Sequence, residues 1–254
     1  EACEKLVLGD CLATPPAYCQ PILYETIPNG LSDPNGRSEG NSSDDIYALA
    51  CTIIFLIVGS HPIDRLTDDQ RLAAKIEKGT FSTLCTNTRV PVPLLESLRG
   101  MLNDDSSLRW GVKEVDRWLN GLNQSSPQRK PTVKGDLPFD FLRYEHVSPR
   151  TIAHAFSKNV PEAITAIKEG ELTSWVRRIL HNPTLSETIA AIAEGEKPKS
   201  GDVFSSDEYT VAKVCILLDP SAPIRYKGIS FMPESVGIKL VMDLLEKKDI
   251  NIIN

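Results

Sequence analysis

The longest apolar run in the chain lies between Ser43 and Gly59, where Ile46 to Val58 carries a polar group only at Tyr47 and Thr52. This pattern predicts a helix with no solvent face, capped at its start by Ser43 or Asp44 and stopped by Gly59, with Pro62 beyond. A helix apolar all round is either a core helix or a membrane span. Its length of ~22 Å falls short of the ~30 Å hydrocarbon layer, so it is expected in a protein core. Narrower apolar stripes follow at helical spacing. One is capped by Thr67 and ends at Gly79, a second opens at Pro93 and carries Leu94, Leu95, Leu98, Met101 and Leu102, and a third runs through Val112, Val115, Trp118 and Leu119 to Gly121.

Before the long helix the pattern is different. Residues 5–8 read as a short strand, and from Cys11 to Gly40 repeated Pro and Gly forbid any long regular element. The segment 123–136 is polar and Pro-punctuated, which predicts a linker between a first unit, 1–122, and a second, 137–254. In the second unit all the signals are helical: Ser148-Pro149, Asn159 and Pro161, Leu172 to Leu180, Leu185 to Ile192, Ser206 onward, and Pro233 through Leu245. Short amphipathic helices of this kind must bury their stripes against one another, so an α-helical bundle tail is expected that packs as part of the fold. Trp175 falls in register with Leu172, Val176 and Ile179 and is read as core.

The 254 residues carry a formal charge of -6, which argues against general attraction to nucleic acid or an anionic membrane. Other proteins are the expected partners. The six cysteines form no Cys-x-x-Cys pair and read as reduced thiols of a cytoplasmic protein. The four histidines are too scattered for a zinc site.

Two stretches carry a resemblance. Asp45-Ile46-Tyr47-Ala48-Leu49-Ala50, running on to Gly59-Ser60-His61-Pro62, resembles the start and end of the central helix in eukaryotic-type protein kinases. Leu98 to Leu102, then Asn103-Asp104-Asp105-Ser106-Ser107-Leu108-Arg109, is similar to that family's later helix, Asp-Pro and Arg element. The resemblance covers roughly residues 6–121, about half the chain. The fold class this implies is mainly α, a protein-kinase-like C-lobe without the N-lobe, followed by the α-helical bundle tail, as in a bacterial pseudokinase-like protein. The resemblance gives Asp45 the role of a buried carboxylate that orders the catalytic loop. It gives Arg109 the role of pairing with the Glu that closes the activation segment, for which Glu25 is the candidate. The interval from Glu25 to Asp45 is longer than the family's, and the excess is the polar stretch Asn29 to Gly40.

The chemistry of that family is largely missing. No Gly-x-Gly-x-x-Gly, Val-Ala-x-Lys or His-Arg-Asp motif occurs. Asp10, in Gly9-Asp10-Cys11-Leu12, stands where Asp-Phe-Gly belongs and is the one candidate metal position, although without the following Gly the turn that aims its carboxylate is hard to form. No catalytic or cofactor-binding residue is assigned. No cofactor is expected for this chain, and ATP and Mg enter only if intact parts precede residue 1. The expectation is a non-catalytic kinase-like fragment with a helical tail that serves as a protein-binding scaffold. The alternative is the C-terminal part of an active serine/threonine kinase.

Overall fold

The computed structural model describes residues 20–86, 88–122, 125–126, 133–195 and 206–246. It is mainly helical, with two short hairpins. The first half contains α1 (Ile27–Leu31), α2 (Ser42–Val58), α3 (Asp68–Lys78), α4 (Thr80–Cys85), α5 (Val92–Met101) and α6 (Val112–Leu119), with single 3₁₀ turns at Ile22–Tyr24 and Pro34–Gly36.

Its core forms around Ile46, Tyr47, Ala50, Cys51 and Ile54 of α2, which meet Leu84 of α4, Leu98 and Met101 of α5, and Trp110. Trp110 can lie so close to α5 only because position 100 is glycine: a Cβ there would stand 2.4 Å from the indole. The predicted stops are in place at Gly59 and Gly79, both with positive φ, and Thr67 caps α3 through a reciprocal bond with Gln70.

Two expectations for α2 are corrected. Its N-cap is Asn41, not Ser43 or Asp44, with Asp44 closing a capping box back onto the Asn41 N–H. Nor is the helix buried all round. Among the described residues the neighbours of α2 cover one side, and Leu49, Phe55, Leu56 and Ile57 remain exposed, Leu56 at 75%.

The second half contains α7 (Pro149–Lys158), α8 (Val160–Lys168), α9 (Glu171–Arg178), α10 (Pro183–Glu194), α11 (Ser206–Leu218) and α12 (Val236–Leu245). A second core joins Ile152 and Phe156 of α7, Ile164 and Ile167 of α8, Trp175 and Val176 of α9, Ile189 of α10 and Val214 of α11. Trp175 is buried there and donates its indole N–H to the Leu137 carbonyl at 2.9 Å.

The purely helical reading of this half is also corrected, because two antiparallel hairpins are present. These are β1 (Phe139–Phe141) with β2 (Tyr144–His146), and β3 (Ile224–Tyr226) with β4 (Ile229–Phe231). The two are built alike. Each pairs three-residue strands through a two-residue turn at positive φ, Leu142-Arg143 in one and Lys227-Gly228 in the other, and each leads into a proline that opens a helical turn, Pro149 or Pro233.

The β3–β4 hairpin and α12 return to the first half and pack on the 34–36 turn, so the polar stretch between Glu25 and α2 becomes the platform for the far end of the tail. No helix among the described residues is long and apolar enough to cross a membrane.

Candidate functional site

The start of α2 organises a knot of polar side chains. With Asn41 as cap, Tyr47 falls on the core face and is fully buried. Its hydroxyl lies 3.1 Å from the Thr80 hydroxyl, which in turn donates to Asp104 at 2.6 Å. Two cations flank the Tyr47 ring: the Arg109 guanidinium 5.2 Å and the Lys75 ammonium 5.3 Å from its centroid.

Lys75, wholly buried, donates to the carbonyls of Ile22, Leu23 and Glu25 at 3.2, 2.8 and 2.9 Å, so all three of its N–H bonds hold the turn that precedes α1. Burial pulls its pKa down to about 8. Arg109 donates to the Asn103 carbonyl and to Asp44, each at 2.8 Å. Glu25 forms a buried ion pair with Arg37 at 2.9 Å; burial raises its carboxyl pKa, and Arg37 partly offsets that rise.

These contacts revise the pairing that the resemblance led us to expect. Arg109 pairs with Asp44, not with Glu25, and Glu25 takes Arg37 from the polar stretch instead. Asp45, expected as a buried carboxylate, is exposed. The reason is helical phase. Starting α2 at Ser42 places Ile46, Tyr47 and Ala50 toward the core, which puts Asp45 in line with Leu49, Thr52 and Leu56 on the uncovered side. Glu25, Arg37, Asp44 and Asp45 do share one feature, a polar cleft of ≈ 210 Å³. It holds no nucleophile beside a base, and no group of three metal-ligating side chains occurs among the described residues. Asp10 lies outside the described residues.

A second polar site was not legible in the sequence. On α12 the aliphatic side chains of Val241, Leu244 and Leu245 face outward, while Lys239 and Asp243 are buried at 3% exposure each. Lys239 bonds Asp243 at 2.8 Å and Asp33 at 2.9 Å, and Asp243 also accepts from Asn35 at 3.0 Å. Backbone bonds complete the dock, from Asp33 N–H to the Ser230 carbonyl at 2.9 Å and from Met232 N–H to the Gly36 carbonyl at 2.8 Å. Gly36 is required there, since a Cβ would stand 2.4 Å from the Ser230 oxygen. The one signal in the sequence is the spacing of Lys239 and Asp243, two opposite charges one helical turn apart inside an aliphatic helix.

Comparison of the chain with models of protein families, with curated proteins and with solved structures finds no match in any of the three.

Proposed function

We propose that this chain is a non-catalytic, protein-kinase-like helical lobe whose helical tail is clamped back onto it, and that it works as a protein-binding scaffold in the cytoplasm. The observation that carries the reading is the uncovered side of α2. Leu49, Phe55 and Leu56 are exposed at 43%, 43% and 75% on a helix whose opposite face is core, with Thr52 between them. Large apolar side chains exposed on one side of a helix suit a protein partner better than water. Support for the kinase-like part comes from the two sequence motifs; the Arg109–Asp44 pair departs from the pairing that the resemblance implies. Support for the non-catalytic part comes from the polar knot, whose side chains are spent on one another and on backbone carbonyls.

The same exposed side favours one other reading: that the chain is the C-terminal part of an active serine/threonine kinase, with ATP-binding and catalytic parts preceding residue 1 that cover α2. The upstream reading frame separates the two, because an intact phosphate-binding Lys and catalytic Asp belong only to the enzyme.

The test of the non-catalytic reading is thermal melting with and without millimolar Mg-ATP. A ligand at a hundred times its dissociation constant adds about 2.7 kcal/mol, a shift of several degrees. No shift is expected, and a clear one would contradict the reading.

A further inference from the structure

Between the two halves lies a second cleft, of ≈ 330 Å³, walled by α1 and α3 on one side and by α7, α8, α11 and the β3–β4 hairpin on the other. Part of its wall is aliphatic, from Leu31, Leu72, Val211 and Ile229. The other part is polar and incompletely partnered. Arg225 on β3 donates from Nη1 to the Ser157 hydroxyl at 3.0 Å, but its Nε is buried without a hydrogen-bond partner, and no carboxylate lies within ion-pair distance among the described residues. His154 on α7 is likewise buried at Nδ1 with nothing bonded to it.

A guanidinium taken out of water without a counter-charge is costly, and its planar fork matches the oxygens of a carboxylate or phosphate. Burial lowers the pKa of both groups, His154 to about 4, so the imidazole is neutral near pH 7 and has a ring nitrogen to offer as donor or acceptor. Of the acids near the cleft, Asp69 is engaged by Lys158 and Asp219, whose charge reaches Arg225, is engaged by Arg150, while Glu208 lies on the wall.

We propose that this cleft binds a small molecule bearing a carboxylate or phosphate group on an apolar body, with Arg225 holding the oxyanion and the aliphatic wall holding the rest. The inference does not depend on the kinase-like reading, since no residue of the α2 knot takes part. Because the walls come from both halves, an occupant would bridge them.

Isothermal titration with phenyl phosphate, sodium benzoate and neutral benzamide tests it on the intact chain. Phenyl phosphate or benzoate is expected to bind one per chain, at least tenfold more tightly than benzamide, and the stronger of the two identifies the preferred oxyanion. Arg225→Gln is expected to weaken that binding at least tenfold while melting no lower than the parent without ligand, because the unpaired charge is gone. Equal binding of benzamide, undiminished binding to Arg225→Gln, or no binding of either anion at 10-fold excess over millimolar protein would overturn the proposal. Should Arg225→Gln fail to fold, the Arg225 Nε–H resonance of the unmodified protein decides: it moves on titration if the anion sits there and stays still if it does not.

Discussion

Lys239 and Asp33, more than two hundred positions apart in the chain, meet at 2.9 Å, and the lysine is 3% exposed. The contact turns the polar stretch before α2 from a surface loop into a receptor for the end of the tail. It also explains why α12 buries charge and shows aliphatics: its inner face meets Asp33 and Asn35, not a hydrophobic core.

Replacing Lys239 by Met leaves Asp33 and Asp243 facing each other without their cation. Losing one member of a buried pair costs ~3–5 kcal/mol, against under about 1 for an exposed pair. Denaturant unfolding of Lys239→Met is therefore expected to lose at least about 3 kcal/mol. A loss within about 0.5 kcal/mol, the scale of ordinary surface substitutions, would mean that the tail is not docked in solution.

Gly36→Ala attacks the same joint from the other side without touching a charge. The new Cβ meets the Ser230 carbonyl oxygen and the Phe231 side chain, at 2.4 and 2.9 Å before any relaxation. Overpacking of this kind costs ~1–3 kcal/mol. Amide exchange across residues 229–243 is expected to speed up while α5 stays protected; unchanged exchange at 229–243 would contradict the packing.

The partner of Arg109 is open to a double-mutant cycle. Arg109→Ala with Asp44→Asn is expected to show a coupling above about 1 kcal/mol, whereas Arg109→Ala with Glu25→Gln should add within about 0.5. The reverse pattern would restore the pairing that the sequence motifs led us to expect.

Much of the helical framework was legible because its punctuation is local. Gly59, Thr67, Gly79 and Pro149 mark helix ends through their own backbone or side chains, and Trp175 announced its burial through the register of its neighbours. What could not be read depends on phase or on distant partners. Asp44 meets Arg109 while Asp45 lies on the uncovered side, and nothing local in the sequence distinguishes these two adjacent identical residues. The hairpins are three residues per strand, too short for an alternating pattern, and Leu142-Arg143 is an unusual pair to hold two positive φ angles. The docking of α12 needed the far side of the chain to become visible.

Stability should depend on acid through His154. Its folded pKa, about 4, lies below the ordinary 6.5, so between those values the unfolded chain binds a proton that the folded one does not. Stability from this group is full above pH 6.5, falls as pH drops toward 4, and levels off below. At about 1.4 kcal/mol per pH unit the loss is on the order of 3 kcal/mol. Comparing His154→Gln with the parent by urea unfolding at pH 7 and pH 4.5 isolates it: the variant should lose distinctly less than the parent on acidification, and equal losses would contradict the burial of the ring.

The scaffold reading stands on the uncovered side of α2, and photo-cross-linking from position 56 tests it most directly. A benzophenone amino acid in place of Leu56, 75% exposed, should leave the melting temperature within about 2 °C of the parent, since a surface change is worth about 0.5 kcal/mol or less. Introduced into the natural full-length protein in its own cells, it is expected to cross-link to a discrete second polypeptide, with the same residue at exposed Tyr144 giving no such product. Cross-links confined to the protein's own chain, or none at all, would contradict the account.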